Sequence, residues 1–137
     1  MKSISTFLFI AILFSGCRKE SNGTVAFYLL GETQPFIADT SIVSYDKSDF
    51  HFILTTTAAQ KVRANIKKDF ALKVDETVIY EGTFWIDYLS SLPNKPVAGS
   101  IEPIGSTMRM WLFNSPPIDS RNDSRLISAL RGAGKLK

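Results

Sequence analysis

The stretch FHFILTTTAAQKVRANI, Phe50–Ile66, carries two periodicities in succession, and their order decides the fold class. In its first part Phe50, Phe52 and Leu54 share one side of an extended chain while His51 and Ile53 share the other. That is the period-two alternation of a half-buried strand. A start signal follows at Thr55–Thr57, because a threonine hydroxyl accepts a backbone N–H in the first turn of a helix. From there Ala58, Ala59, Val62 and Ile66 recur at helical spacing, which leaves Lys61, Arg63, Lys67 and Lys68 for solvent. A strand feeding directly into an amphipathic helix predicts a domain that mixes the two on one core.

The flanks extend the pattern. Upstream, Thr24–Leu30 is β-branched and aromatic and reads as a strand stopped by Gly31. Residues 32–40 hold Pro35 and no period, so they read as loop. Ile42, Val43 and Tyr45 suit a short strand before the polar turn Asp46–Asp49. Downstream, Phe70, Leu72 and Val74 alternate up to a turn at Asp75-Glu76, and Val78–Trp85 is a further strand with Gly82 placed for a bulge. Pro93, Asn94, Pro96 and Gly99 mark residues 88–100 as loop. Thr107–Phe113 returns to alternation, Met108, Met110 and Leu112 opposing Arg109, Trp111 and Phe113. Pro116-Pro117 then forces irregular chain. Asp123 or Ser124 caps a last helix bearing Leu126, Ile127 and Leu130, which Gly132 and Gly134 end. The expectation is an α+β domain: a small, mostly antiparallel sheet with two helices packed on one face, preceded by a helical signal peptide.

That preceding segment is read from Met1–Cys17. Lys2 is followed by an apolar run, Ile4–Phe14, broken only by Ser5 and Thr6 and ending in Phe14-Ser15-Gly16-Cys17. A positive start, an apolar middle and small residues before the cut make a secretory signal. At 1.5 Å per residue the run spans roughly 16 Å as a helix, short of the ~30 Å of a bilayer core. Cys17, which ends the segment, is the only cysteine in the chain, and Met1–Cys17 resembles a bacterial lipoprotein signal peptide. Ser15 and Gly16 match that family's cleavage pattern, and Phe14 stands where the family carries Leu, Val or Ile. The resemblance implies cleavage before Cys17, diacylglycerol on its thiol and an acyl chain such as palmitate on the new amine. Several chains on one residue give stable anchoring, each buried CH₂ adding about 0.8 kcal/mol. Arg18, rather than an aspartate, after the cysteine favours the outer membrane, with the domain periplasmic or surface-facing.

Three parts follow: residues 1–16 as signal peptide, 17–23 as lipidated tether ending in Asn22-Gly23, and 24–137 as one domain. Cleavage after residue 16 of the 137 leaves 121 residues, the size of a single core. It also removes Lys2, so 15 basic residues face 13 acidic ones, a net charge of +2. Nucleic-acid binders cluster far more positive charge than the lone Lys67-Lys68 pair, so nucleic acid is excluded as a partner. With one cysteine no intrachain disulfide forms, and the exported domain depends on its core.

The middle and end of the chain are similar to a family of small Bacteroidetes lipoproteins, through Ile79–Trp85, Ser90-Ser91, Asp119–Asp123 and the closing Gly134-Lys135-Leu136. The order of elements is also distantly similar to the periplasmic head domain of the translocase subunit SecD. There a strand meets a Leu-Thr-plus-Ala helix, as in Leu54, Thr55 and Ala58, and a hydrophobic strand ends in aspartate, as in Leu72–Asp75. SecD's work rests on several transmembrane helices that this sequence lacks, so no translocase role is implied. Neither resemblance supplies an activity or a catalytic residue.

Three constellations are candidates for chemistry. His51, the only histidine, lies near Asp46 and Asp49 and would serve as a general base if a nucleophile stood within reach; the alternative is a structural histidine. Asp119, Arg121, Asp123 and Arg125 alternate in sign, which suits an ion-paired loop capping the last helix, or a pair of oxygen ligands. One histidine and one lipidated cysteine cannot make a zinc shell, and no metal or other cofactor is expected. The aromatics are the third: Trp85 and Tyr88 run into a polar loop, and Trp111 shares a face with Phe113. Exposed, they would form a binding patch for an envelope protein or glycan; core packing is the competing reading for Phe84 and Trp85. The expectation is a non-enzymatic binding domain tethered to the membrane, with a small envelope hydrolase using His51, or an accessory subunit of an envelope complex, as alternatives.

Overall fold

The structure is a computed structural model and describes residues 23–87, 89, 91–113 and 117–137. The signal segment, Cys17 and Tyr88 lie outside the described residues. Among those described, seven strands form one sheet: β1 (Val25–Leu29), β2 (Ile42–Asp46), β3 (His51–Leu54), β4 (Asp69–Val74), β5 (Thr77–Ile86), β6 (Val97–Ile101) and β7 (Thr107–Leu112). Two short helices, α1 (Thr56–Arg63) and α2 (Ser124–Gly132), accompany them. The spatial order is β1-β4-β5-β6-β7-β3-β2. Neighbours are antiparallel except β5 and β6, which run parallel.

This corrects the expected small, mostly antiparallel sheet with two helices on one face. The domain is mostly β, a curled mixed sheet closed through half a barrel. The largest single cause is β6, expected as loop. Its sequence, Val-Ala-Gly-Ser-Ile, follows Pro93 and Pro96 and shows no alternation, yet all five residues are buried. Small residues suit it because it is the central strand. A Cβ on Gly99 would come 3.3 Å from Cε1 of Phe70 and 3.2 Å from Sδ of Met108. Gly82 serves the same end and is not the bulge. Its missing side chain makes room for the Phe70 ring, while the register slips at Ile79, with Leu72 opposite Tyr80 and Lys73 opposite Val78.

The concave side holds the core. Phe27 meets Phe52 and Phe70 edge-on with centroids 5.2 and 5.3 Å apart, and Phe70 lies 4.5 Å from Phe84. Such aromatic pairs gain about 0.5–1.5 kcal/mol beyond the burial of their area. Helix α1 buries Ala58, Ala59 and Val62 against β3, β5 and β6, and α2 buries Leu126, Ala129 and Leu130 against β1 and β4. Both start as their sequences require: Thr55 Oγ1 accepts from Ala58 N at 3.3 Å, and Asp123 Oδ1 accepts from Arg125 N at 2.9 Å.

Both sheet edges are blunted, as an open edge invites pairing with another chain. Phe27 of β1 exchanges backbone bonds with Ile37. On the far edge Tyr45 N donates to Lys135 O, and Lys137 N donates to Tyr45 O, both at 2.8 Å. The parallel pair shapes the other face. A chain leaving β5 must return to the starting end of the sheet before β6 can run alongside it. Of that return, Leu89, Ser91 and Leu92 border the convex side, where Lys95 N also donates to Thr83 Oγ1 at 3.3 Å.

Candidate functional site

The convex face carries one register-aligned row. Trp85 on β5 stands opposite Ser100 on β6, Ser100 opposite Arg109 on β7, Arg109 opposite His51 on β3, and His51 opposite Asp46 on β2. Because side chains alternate across a strand, all five point away from the Phe27–Phe84 core. Trp111 takes the next outward position on β7. The returning chain walls this row on one side, leaving a groove of about 580 Å³ whose lining includes His51, Trp85, Asp87, Leu92, Arg109 and Trp111. That lies within the ~300–1,000 Å³ of small-molecule sites.

The polar groups in the groove are held in a chain. Asp49 Oδ1 lies 2.6 Å from His51 Nδ1, and Arg109 Nε donates to His51 Nε2 at 3.0 Å. A guanidinium can only donate, so His51 keeps its lone pair at Nε2 and its proton at Nδ1, facing the Asp49 carboxylate. The Arg109 guanidinium then stacks over Trp111 at 4.9 Å from the ring centroid. Phe50 makes the turn that brings Asp49 back to His51: it adopts φ +60°, so the strand alternation starts at His51 rather than at Phe50. Its carbonyl accepts from Met110 N at 2.9 Å, and the Arg121 guanidinium covers its ring at 3.7 Å. Across the groove Ser100 Oγ donates to Asp87 Oδ1.

The aromatic candidates separate. Trp111 is 44% exposed at the mouth of the groove, and Trp85, only 7% exposed, forms part of its floor. Phe84 is wholly buried in the core. His51 shares the outward face with Ile53, its side chain 19% exposed. Both its nitrogens are committed, to Asp49 and to Arg109, and the serine in its row bonds to Asp87. A general base needs a free lone pair directed at a nucleophile, and this arrangement offers neither.

The acidic–basic loop lies apart from the groove. Arg121 holds Asp119 through two bonds, at 2.9 and 2.8 Å, and donates to Met110 O at 3.0 Å; Arg125 holds Asp123 in the same bidentate way. Hydrogen bonds from those arginines hold both aspartates below the usual carboxylate range. Tyr45 donates to Arg121 O at 3.1 Å, and burial pushes its hydroxyl far above the ordinary tyrosine value. Among the described residues no group of three or more His, Cys, Asp and Glu side chains is placed to hold a metal ion.

Asp87, Ser100 and Glu102 are groove residues that the sequence reading did not single out. Alternation along Thr107–Phe113 already set Arg109 beside Trp111. Placing Ser100 in the same row required recognising Val97–Ile101 as a strand, and nothing local in its composition signals one. No protein-family model, curated protein or solved structure matches this chain.

Proposed function

We propose that this chain is a lipid-anchored envelope protein, held at the outer membrane through Cys17, whose domain binds a ligand in the convex-face groove without catalysing a reaction. The anchor rests on the Met1–Cys17 pattern. The binding reading rests on one observation above all: Trp111 stands 44% exposed at the groove mouth with Arg109 stacked on it. Leaving a large indole in water forgoes about 1.5–3 kcal/mol of burial, and isolated proteins tend to keep such surface where a partner covers it. Histidine chemistry is not favoured, because Arg109 occupies the lone pair a hydrolase would use.

Two experiments test the parts separately. Cells expressing the full chain and fed radiolabelled palmitate should label it, and Cys17→Ser should abolish both label and membrane fractionation. An unlabelled wild-type chain would refute the anchor. For the groove, immobilised full-length protein is challenged with outer-membrane extract divided into protein and polysaccharide fractions. Retention of one fraction by the wild type and its loss in Trp111→Ala is the expected result. Equal retention by both proteins, or by neither, would refute the groove as a binding site.

A further inference from the structure

We infer that the groove takes a neutral saccharide, stacked on Trp111 and hydrogen-bonded by Arg109, Asp87 and Glu102. This rests on the binding reading above and goes beyond it by naming the ligand class.

The first argument concerns what the groove cannot offer. Its floor is the face of β5, β6, β7 and β3, whose backbone groups are spent on the ladder. An extended peptide gains its affinity from main-chain hydrogen bonds at a sheet edge. The groove lies on the face away from both edges, where Phe27 on β1 already pairs with Ile37 and Tyr45 on β2 with Lys135 and Lys137. Recognition on the strand floor of the groove therefore runs through side chains.

The second argument concerns what those side chains are. Arg109 spends Nε on His51, and among the described residues its two terminal nitrogens make no hydrogen bond, so they remain as donors. Asp87 receives Ser100 on Oδ1 and keeps Oδ2 as an acceptor. Glu102 and Thr107 line the same space. Fixed donors and fixed acceptors side by side match a ligand whose groups do both, and a hydroxyl is such a group. The apolar part is a platform: the part of the Trp111 ring that Arg109 leaves open, with Leu92, 79% exposed, at the rim. A pyranose presents a C–H face to such a ring and a girdle of hydroxyls to the polar groups around it.

The third argument is charge. Two carboxylates, Asp87 and Glu102, oppose one guanidinium in the lining, so an acidic ligand meets a surplus of negative charge at close range. The neutral form of the ligand is favoured. The row from Trp85 to His51 crosses three strand spacings, about 14 Å at ~4.8 Å each, which accommodates a chain of sugars rather than a lone ring.

The test titrates full-length protein in detergent with gluco-, manno- and galacto-oligosaccharides and with hexuronate oligomers of matched length, following tryptophan fluorescence and heat. At least one neutral series should bind, and the hexuronates should bind at least about tenfold more weakly. Trp111→Ala should weaken the neutral ligand at least about tenfold, the scale of an aromatic anchor. Arg109→Met, which keeps the apolar stem and removes the donors, should also weaken it, and thermal melting checks both folds. Absence of binding by every neutral series, tighter binding of hexuronates, or unchanged affinity in both variants would overturn the assignment. If the extract experiment instead retains protein through Trp111 while no neutral sugar binds, the groove stands as a binding site and the saccharide assignment fails.

Discussion

Replacing Gly82 by alanine tests the junction on which the whole sheet turns. Gly82 lies opposite Val97 at the parallel β5–β6 pair and opposite Phe70 on β4. A Cβ there would collide with the Phe70 ring and lie 2.8 Å from the Val97 carbonyl oxygen. The ring cannot swing clear: Phe70 is fully buried, with Phe84 at 4.5 Å and Phe27 at 5.3 Å. The carbonyl belongs to backbone and cannot move without opening the parallel ladder. Overpacking of this kind costs about 1–3 kcal/mol. The restricted unfolded chain of alanine returns about 0.4–1 kcal/mol. A net loss of about 1.3 kcal/mol follows. Gly99→Ala is the matched control one strand away. Its added methyl meets Met108 Sδ at 3.2 Å and Phe70 Cε1 at 3.3 Å, and a thioether can shift, so the two contributions should nearly cancel. Urea unfolding followed by tryptophan fluorescence reads the difference. With m about 1.5–2 kcal/mol/M, Gly82→Ala should lower the midpoint by about 0.7 M at unchanged m. Equal midpoints for the two variants would refute the placement of Phe70 beneath the β5–β6 junction, and with it the register of the central strands.

Arg121→Ala removes the two bonds to Asp119, the bond to Met110 O and the cover over Phe50, and should cost about 2 kcal/mol in chemical denaturation. It should also change the acid limb. Asp119 is held below its ordinary value of 3.8, chiefly by hydrogen bonding from Arg121, so its contribution is present above pH 3.8 and lost as the pH falls through the lower folded value. Melting temperature against pH should therefore fall less steeply below pH 3.8 in the variant; parallel curves would contradict the pairing. Deleting Lys135–Lys137 uncovers the β2 edge by removing both backbone bonds to Tyr45 and the 3.0 Å Lys135–Asp39 ion pair. Light scattering should then detect more self-association than in the full chain, and a shortened chain that associates no more than the full chain and is equally stable would refute an edge-capping role.

Much of the local structure was legible because it is written in local periodicity. The alternation in His51–Leu54 and Thr107–Leu112, the Thr55 and Asp123 caps, and the stripe of Ala58, Ala59 and Val62 each depend on neighbours within a turn or two. Phe50 broke the alternation because its backbone takes φ +60° ahead of β3, and its ring lies under the distant Arg121 guanidinium. Val97–Ile101 was misread for a related reason. A strand buried on both faces needs no alternation, and one crossed by Phe70 needs small side chains, so its composition resembles that of a loop.

The candidate site shows the same division. Residue order alone was enough to set Arg109 and Trp111 on one face and to place His51 opposite Phe52. Bringing Trp85, Ser100, Arg109 and His51 into one row depended on long-range strand pairing, since these residues come from four strands that meet only when the sheet forms. The groove itself arose from topology. A parallel neighbour for β5 obliges the chain to return before β6 begins, which sets Leu89, Ser91 and Leu92 along the convex face, and no local periodicity records which strand the chain will join afterwards.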